Sequence, residues 1–113
     1  VRKYAILKEP KDKVVKIMLY EVTDGVYLFE YDTVADYLCC SDLFFSTIEE
    51  ALSYCDETYC IKDSDWIMIG DPFEYCQHDL ISPVRIKGRD IGKPVWGEYE
   101  ILSNGKWVEH QLK

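Results

Sequence analysis

The sequence predicts an α+β domain in which one principal helix packs on one face of a single, mainly antiparallel sheet of about six or seven strands. Three observations carry this expectation. Only one stretch, Phe45 to Tyr59, combines an apolar period of 3.6 residues with a helix start signal. Period-two alternation recurs on both sides of it, punctuated by Asp24-Gly25 and Asn104-Gly105. A lone helix also excludes a repeated βαβ architecture, and its apolar stripe has to cover a sheet. With no linker or low-complexity stretch, residues 1–113 are expected to form one domain, a common size for a folding unit.

The elements follow in order. Tyr4 to Lys8 reads as a short strand, ended by the turn-like Glu9-Pro10-Lys11-Asp12. Lys13 to Val22 follows, with Val15, Ile17 and Leu19 on one face and Val14, Lys16, Met18 and Tyr20 on the other. Asp24-Gly25 supplies the positive φ of a tight hairpin, and Val26 to Tyr31 returns to complete a three-stranded meander. Residues Val34 to Cys40 fit either a short helical turn or an irregular crossover, and Leu43-Phe44-Phe45 reads as a core plug beside the helix start.

Ser46 is the expected N-cap, with Glu49 three residues on completing a capping box. Ile48, Ala51, Leu52, Cys55 and Tyr59 then form one stripe, leaving Glu49, Glu50, Ser53, Asp56 and Glu57 to water. Beyond the helix, Trp66 to Ile69 reads as a buried strand ended by Gly70-Asp71-Pro72, and Phe73 to Ser82 as a loop long enough to be functional. Pro83 to Lys87 is a strand, and Trp96 to Leu102 with Lys106 to Leu112 forms a closing hairpin about Asn104-Gly105.

Charge is the most informative composition term. The net charge is −8, but residues 1–20 carry six basic and two acidic groups, residues 21–80 carry fifteen acidic groups and only Lys62, and residues 81–113 carry six basic and four acidic groups. Nucleic acid is a poor partner for such a chain, because phosphate contacts supply most of that affinity. A basic protein, steered by long-range attraction, is the matching partner; a merely solubilising acidic face is the alternative. No apolar run reaches the roughly 18 residues of a membrane span, and Val1-Arg2-Lys3-Tyr4 has no signal-peptide core. A cytoplasmic protein is expected, its five cysteines present as thiols.

Several stretches are candidates for chemistry. Cys76, His78 and Asp79 lie together in the long loop and have the residue types of a thiol nucleophile with an oriented base. Sequence neighbours point apart, however, and a packed Cys76 with a hydrogen-bonded His78 is the commoner arrangement. Cys39, Cys40, Cys60, Cys76 and His78 lack the paired-knuckle spacing of structural zinc, so no metal or cofactor is expected. Glu98 and Glu100 alternate on one strand face and fit a carboxylate pair in a cleft or, more commonly, the wet side of the hairpin, and Gly88 to Lys93 lacks the spacing and following helix of a phosphate loop. Tyr27, Phe29 and Tyr31 share a strand face, and either fill the core or leave an aromatic surface.

The combination of Phe44-Phe45-Ser46-Thr47-Ile48-Glu49-Glu50-Ala51, Trp66, Asp71-Pro72 and Cys76-Gln77-His78-Asp79-Leu80-Ile81-Ser82-Pro83-Val84-Arg85 resembles small uncharacterised bacterial domains. Some of these are similar in size and charge to immunity proteins of toxin systems. The resemblance implies a cytoplasmic protein that blocks a cognate toxin domain, often a basic nuclease, with no chemistry of its own. The expected function is therefore a small acidic protein-binding domain acting by occlusion, through Glu49, Glu50, Asp56, Glu57, Asp63 and Asp65. One alternative is a ligand- or metal-binding domain or enzyme using the Phe73–Ser82 loop. Another is a subunit of a homo-oligomer or larger assembly, joined through its tryptophan-bearing strands.

Overall fold

The computed structural model describes residues 1–112, which form two compact units, Val1–Asp71 and a second from Pro72 onward. The α+β expectation holds: one principal helix packs on an antiparallel sheet, and the eight strands are shared between a five-stranded and a three-stranded sheet.

The first unit holds β1 (Arg2–Lys11), β2 (Val14–Val22), β3 (Gly25–Tyr31), β4 (Ser41–Phe45), the helix α1 (Ile48–Tyr59) and β5 (Ile67–Ile69). The sheet order is β4-β3-β2-β1-β5, antiparallel throughout. The meander β1-β2-β3 is as expected, but its first turn differs in detail. β1 runs on through Pro10, because the register shifts between Ile6 and Lys11 and so spares the proline from ladder pairing. The reversal is made instead by Asp12 and Lys13, both at positive φ (49° and 73°). Gly25 supplies the expected positive φ (158°), in backbone that L side chains rarely adopt. It also supplies space: a Cβ there would lie 2.5 Å from the Phe45 carbonyl oxygen and 2.4 Å from the Phe44 ring.

Leu43-Phe44-Phe45, expected as a core plug, belong instead to the edge strand β4, paired in unbroken register from Val26↔Phe45 to Glu30↔Ser41. A run of five residues with Asp42 inside it lacks the alternation that marks a strand; pairing to β3 creates it. Residues 32–40 contain no helical turn.

The predicted helix stripe packs as expected. Ala51 and Cys55 are buried, and Ile48, Leu52 and Tyr59 pack beside them against Ala5, Leu7, Ile17, Leu19, Val26 and Leu28. Each fully buried leucine or isoleucine contributes about 1.5–3 kcal/mol, so this layer supplies most of the unit's stability. Glu30 is the one carboxylate placed in that layer, 8% exposed. It accepts hydrogen bonds from the Tyr59 hydroxyl on the helix and from the Ser41 hydroxyl on β4, the latter at 2.7 Å.

The opposite face of the sheet carries Met18, Phe29 and Tyr31, with Tyr4, Tyr20, Tyr27, Cys39 and Ile69 packed around them. The aromatic strand face read from the sequence is therefore largely core. Residues 32–40 fold over part of it, fastened by Lys16, which is 1% exposed. The Lys16 ammonium donates to the carbonyl oxygens of Ala35 (2.8 Å) and Val34 (3.4 Å) and lies 4.4 Å from the centre of the Tyr31 ring. Burial lowers its pKa, opposed by the charge of Asp36.

In the second unit β6 (Val84–Ile86), β7 (Tyr99–Ser103) and β8 (Lys106–His110) pair in that order. Asn104 and Gly105, both at positive φ, make the predicted β7–β8 turn. Arg85 organises the sheet: it bonds Glu100 (3.2 Å), pairs with Asp90 (3.6 Å) and stacks 3.8 Å from the centre of the Trp107 ring. Gly88 is obligatory here, since its φ is 81° and a Cβ would meet the Lys93 carbonyl oxygen at 2.2 Å.

Tyr59 ties the last helical turn to the sheet, so Tyr59→Phe should lower stability by about 1–2 kcal/mol in urea denaturation, the scale of one partly buried hydrogen bond to a charged group. Burial, and secondly the bond to Glu30, hold the Tyr59 phenol above its usual pKa of 10.0. A raised native pKa gives stability that is complete below pH 10 and falls as pH rises further. The wild-type chain should therefore lose stability more steeply than Tyr59→Phe above pH 10.

Candidate functional site

The acidic surface starts from the helix. α1 begins one residue later than its sequence signal suggests: Thr47, not Ser46, is the N-cap. Its hydroxyl oxygen accepts from the Glu50 N–H at 3.2 Å and donates to the Glu50 carboxylate at 3.3 Å. Ser46-Thr47 offers two capping hydroxyls with a glutamate three residues beyond each, and the chain uses the second. Phe45 consequently lies outside the staple position and packs against Tyr54 instead, ring centres 5.3 Å apart.

Glu49 and Glu50 sit in the first turn, where the helix dipole favours negative charge. Asp56 and Glu57 sit near the other end, where it does not, and α1 has no basic residue in its last turn. Cations from neighbouring segments offset this. Lys62 pairs with Asp56 at 2.5 Å, which raises the Lys62 pKa, and the Lys11 ammonium donates to the Thr58 carbonyl at 3.1 Å. The helix ends on Cys60 in left-handed backbone (φ 57°), its N–H returning to the Asp56 carbonyl at 2.9 Å.

The six acidic residues expected to bind a partner thus fall on one stretch of the first unit, with different duties. Glu49, Glu50, Asp56, Glu57 and Asp63 are exposed. Asp65 is half-buried, accepts from the Lys62 N–H at 2.9 Å and lies 4.0 Å from the Lys8 ammonium. Asp56 and Asp65, and Glu50 through its bond from the Thr47 hydroxyl, are therefore partly committed to the fold, leaving Glu49, Glu57 and Asp63 as the exposed members with no such duty described above. Asp63 also lines a groove of about 560 Å³ with Leu52, Ser53, Asp56, Ile61, Lys62, Ser64 and Trp66.

The charge division sharpens when placed on the structure. Val1–Asp71 contains seven basic and fifteen acidic residues, whereas the chain from Pro72 onward contains six of each. The whole net charge belongs to the unit that carries the helix.

The loop candidates lie in the second unit. Cys76 is 3% exposed and forms a β-bridge to Arg85, while the Gln77 N–H donates to the Val84 carbonyl at 2.7 Å. Cys76 therefore extends the edge of the small sheet. His78 is exposed and Asp79 half-buried. Among the described residues, no group of three histidine, cysteine or acidic side chains is arranged to hold a metal ion, and no disulfide joins the cysteines. Cys55 is buried in the helix–sheet layer, and its thiol pKa is pushed up to about 12, chiefly by burial. Glu98 and Glu100 do not form a cleft pair: Glu98 is exposed, and Glu100 accepts from Arg85.

Sequence reasoning missed Glu30, Lys16 and Arg85 as organising charges. The signal was present for Glu30 and Lys16, each a charged residue with apolar residues on both sides of it in a strand.

No protein-family model matches this sequence, and no curated protein or solved structure matches it either. No described helix is long and apolar enough to cross a membrane.

If Thr47 is the cap, Thr47→Ala should cost about 1 kcal/mol in denaturant melts, while Ser46→Ala changes stability by less than about 0.5 kcal/mol.

Proposed function

We propose that this chain is a small acidic protein-binding module whose exposed helix face docks on a basic protein. The observation that carries the reading is the segregation of charge. The helix-bearing unit holds the entire net charge of −8, and Glu49, Glu50, Glu57 and Asp63 project from one exposed stretch of it. From Ile17 to Ile61 the sequence contains ten acidic residues and no lysine, arginine or histidine. Such a field raises association rates with a cationic partner and repels acidic ones. Occlusion of a basic active site, as by an immunity protein, is the specific form proposed, and it accords with the exposure of Glu49 and Glu57 on the helix.

The loop reading is less well supported. A buried Cys76 engaged in β-bridging is poorly presented for nucleophilic attack, since reactive thiols are partly exposed in electropositive surroundings.

The test is affinity capture from the native host, comparing wild type with the triple variant Glu49→Lys, Glu57→Lys and Asp63→Lys, which spares the fold contacts of Glu50 and Asp56. Wild type should recover a basic partner whose yield falls as salt rises from 0.05 to 0.5 M, as expected for exposed charges at a Debye length of about 14 to 4 Å. The variant should recover at least about tenfold less. Equal recovery by both would remove this face from the binding surface.

A further inference from the structure

The five-stranded sheet has two edges, and they are built differently. β5 is three residues long and stops at Gly70-Asp71-Pro72, so little of it is available to another strand. Natural sheets protect longer edges with lysine, proline, a bulge or a covering segment, because a row of open N–H and C=O groups recruits other strands. β4 contains no lysine, proline or bulge: its register with β3 is unbroken over all five residues, and its one charge is Asp42. Among the described residues no strand pairs with its outer side. Leu43 and Phe44 stand 38% and 52% exposed, one on each face, with the exposed Asp42 beside them.

We infer that β4 is a docking edge that accepts an extended segment of a basic partner as an added antiparallel strand. This inference rests on the acidic-module reading and names how the partner is held. Two features choose this occupant. The ladder gives affinity without regard to sequence, while alternate side chains of the added strand meet Leu43 and Phe45 on one face and Asp42 and Phe44 on the other. Charge then selects a cationic strand: Asp42 lies on the edge itself, and Glu49 and Glu50 follow in the first turn of the helix that β4 leads into. A second copy of the chain fits less well. Antiparallel self-pairing centred on Leu43 would set Asp42 opposite Phe44 twice, with no cation for either carboxylate.

The experiment uses the full chain, labelled with ¹⁵N, and a capped Lys-Val-Lys-Val-Lys-Val peptide N-methylated on alternate residues so that only one of its edges can form a ladder. The expected result is saturable shifts centred on the amides of Ser41–Phe45, with slowed hydrogen exchange there. A Glu-Val analogue should bind at least about tenfold more weakly, through like-charge repulsion. A peptide methylated along both edges should not bind. Leu43→Lys, a gatekeeper substitution at an exposed site, should reduce binding of the basic peptide by a similar factor. Because the peptide series is read on wild type, the test does not depend on that variant folding.

No shift at β4 with millimolar peptide would overturn the inference. So would equal binding of the doubly methylated peptide, or a concentration-dependent dimer that occupies Ser41–Phe45 and excludes the peptide. If peptide pairing fails while charge reversal still abolishes partner capture, strand addition alone is removed. If capture survives the reversal, the acidic-module reading fails and this inference falls with it.

Discussion

The first unit depends on the placement of one buried carboxylate. Glu30 lies on the apolar face of β3, and its two oxygens are taken by Tyr59 from the helix and Ser41 from the edge strand. A carboxylate removed from water without donors costs several kcal/mol, so its position is tolerable only when both hydroxyls are present. The cost works as a specification. Slipping β4 by one residue would withdraw Ser41, and turning the helix would withdraw Tyr59. Apolar packing alone tolerates such errors more readily, because contacts among Leu28, Ile17 and Leu52 lack direction. Three elements that are distant in sequence are thereby held in one register, and the acidic helix face is aimed outward as a result.

On the other side of the sheet the same problem is solved with the opposite sign. Lys16 is buried with its ammonium over the Tyr31 ring, and it takes backbone carbonyls of residues 34 and 35 in place of water. This binds an irregular stretch down onto an aromatic surface that the single helix cannot cover. Here a desolvated charge holds in place a segment without regular structure. The sheet is thus locked on one face by an acid and on the other by a base, from adjacent strands and within one paired register, Lys16 facing Tyr31 and Ile17 facing Glu30.

Those locks explain what could be read from the residues alone. The helix stripe from Ile48 to Tyr59, the meander and the Asn104-Gly105 turn were legible because each is set by local periodicity or by local backbone demand. β4 was not, since residues 41–45 have no alternation of their own and become a strand only through β3. The helix start was ambiguous between two adjacent hydroxyls, and geometry rather than residue type selected Thr47. Pro10 suggested a break that a register shift absorbs. For the site, the acidic positions could be listed from the sequence, but not which of them serve the fold. That distinction rests on Lys62 and Lys8 reaching Asp56 and Asp65, contacts made outside the helix.

The division of charge between the two units has a colloidal consequence. Residues from Pro72 onward carry as many acids as bases, so that segment is near its isoelectric point at neutral pH, where proteins repel one another least. It also exposes Trp96, Ile91 and Phe73. Covalent attachment to a strongly anionic neighbour supplies a charge repulsion that this segment lacks by itself, so the carboxylates proposed to meet a cationic partner also oppose self-association through these exposed apolar side chains.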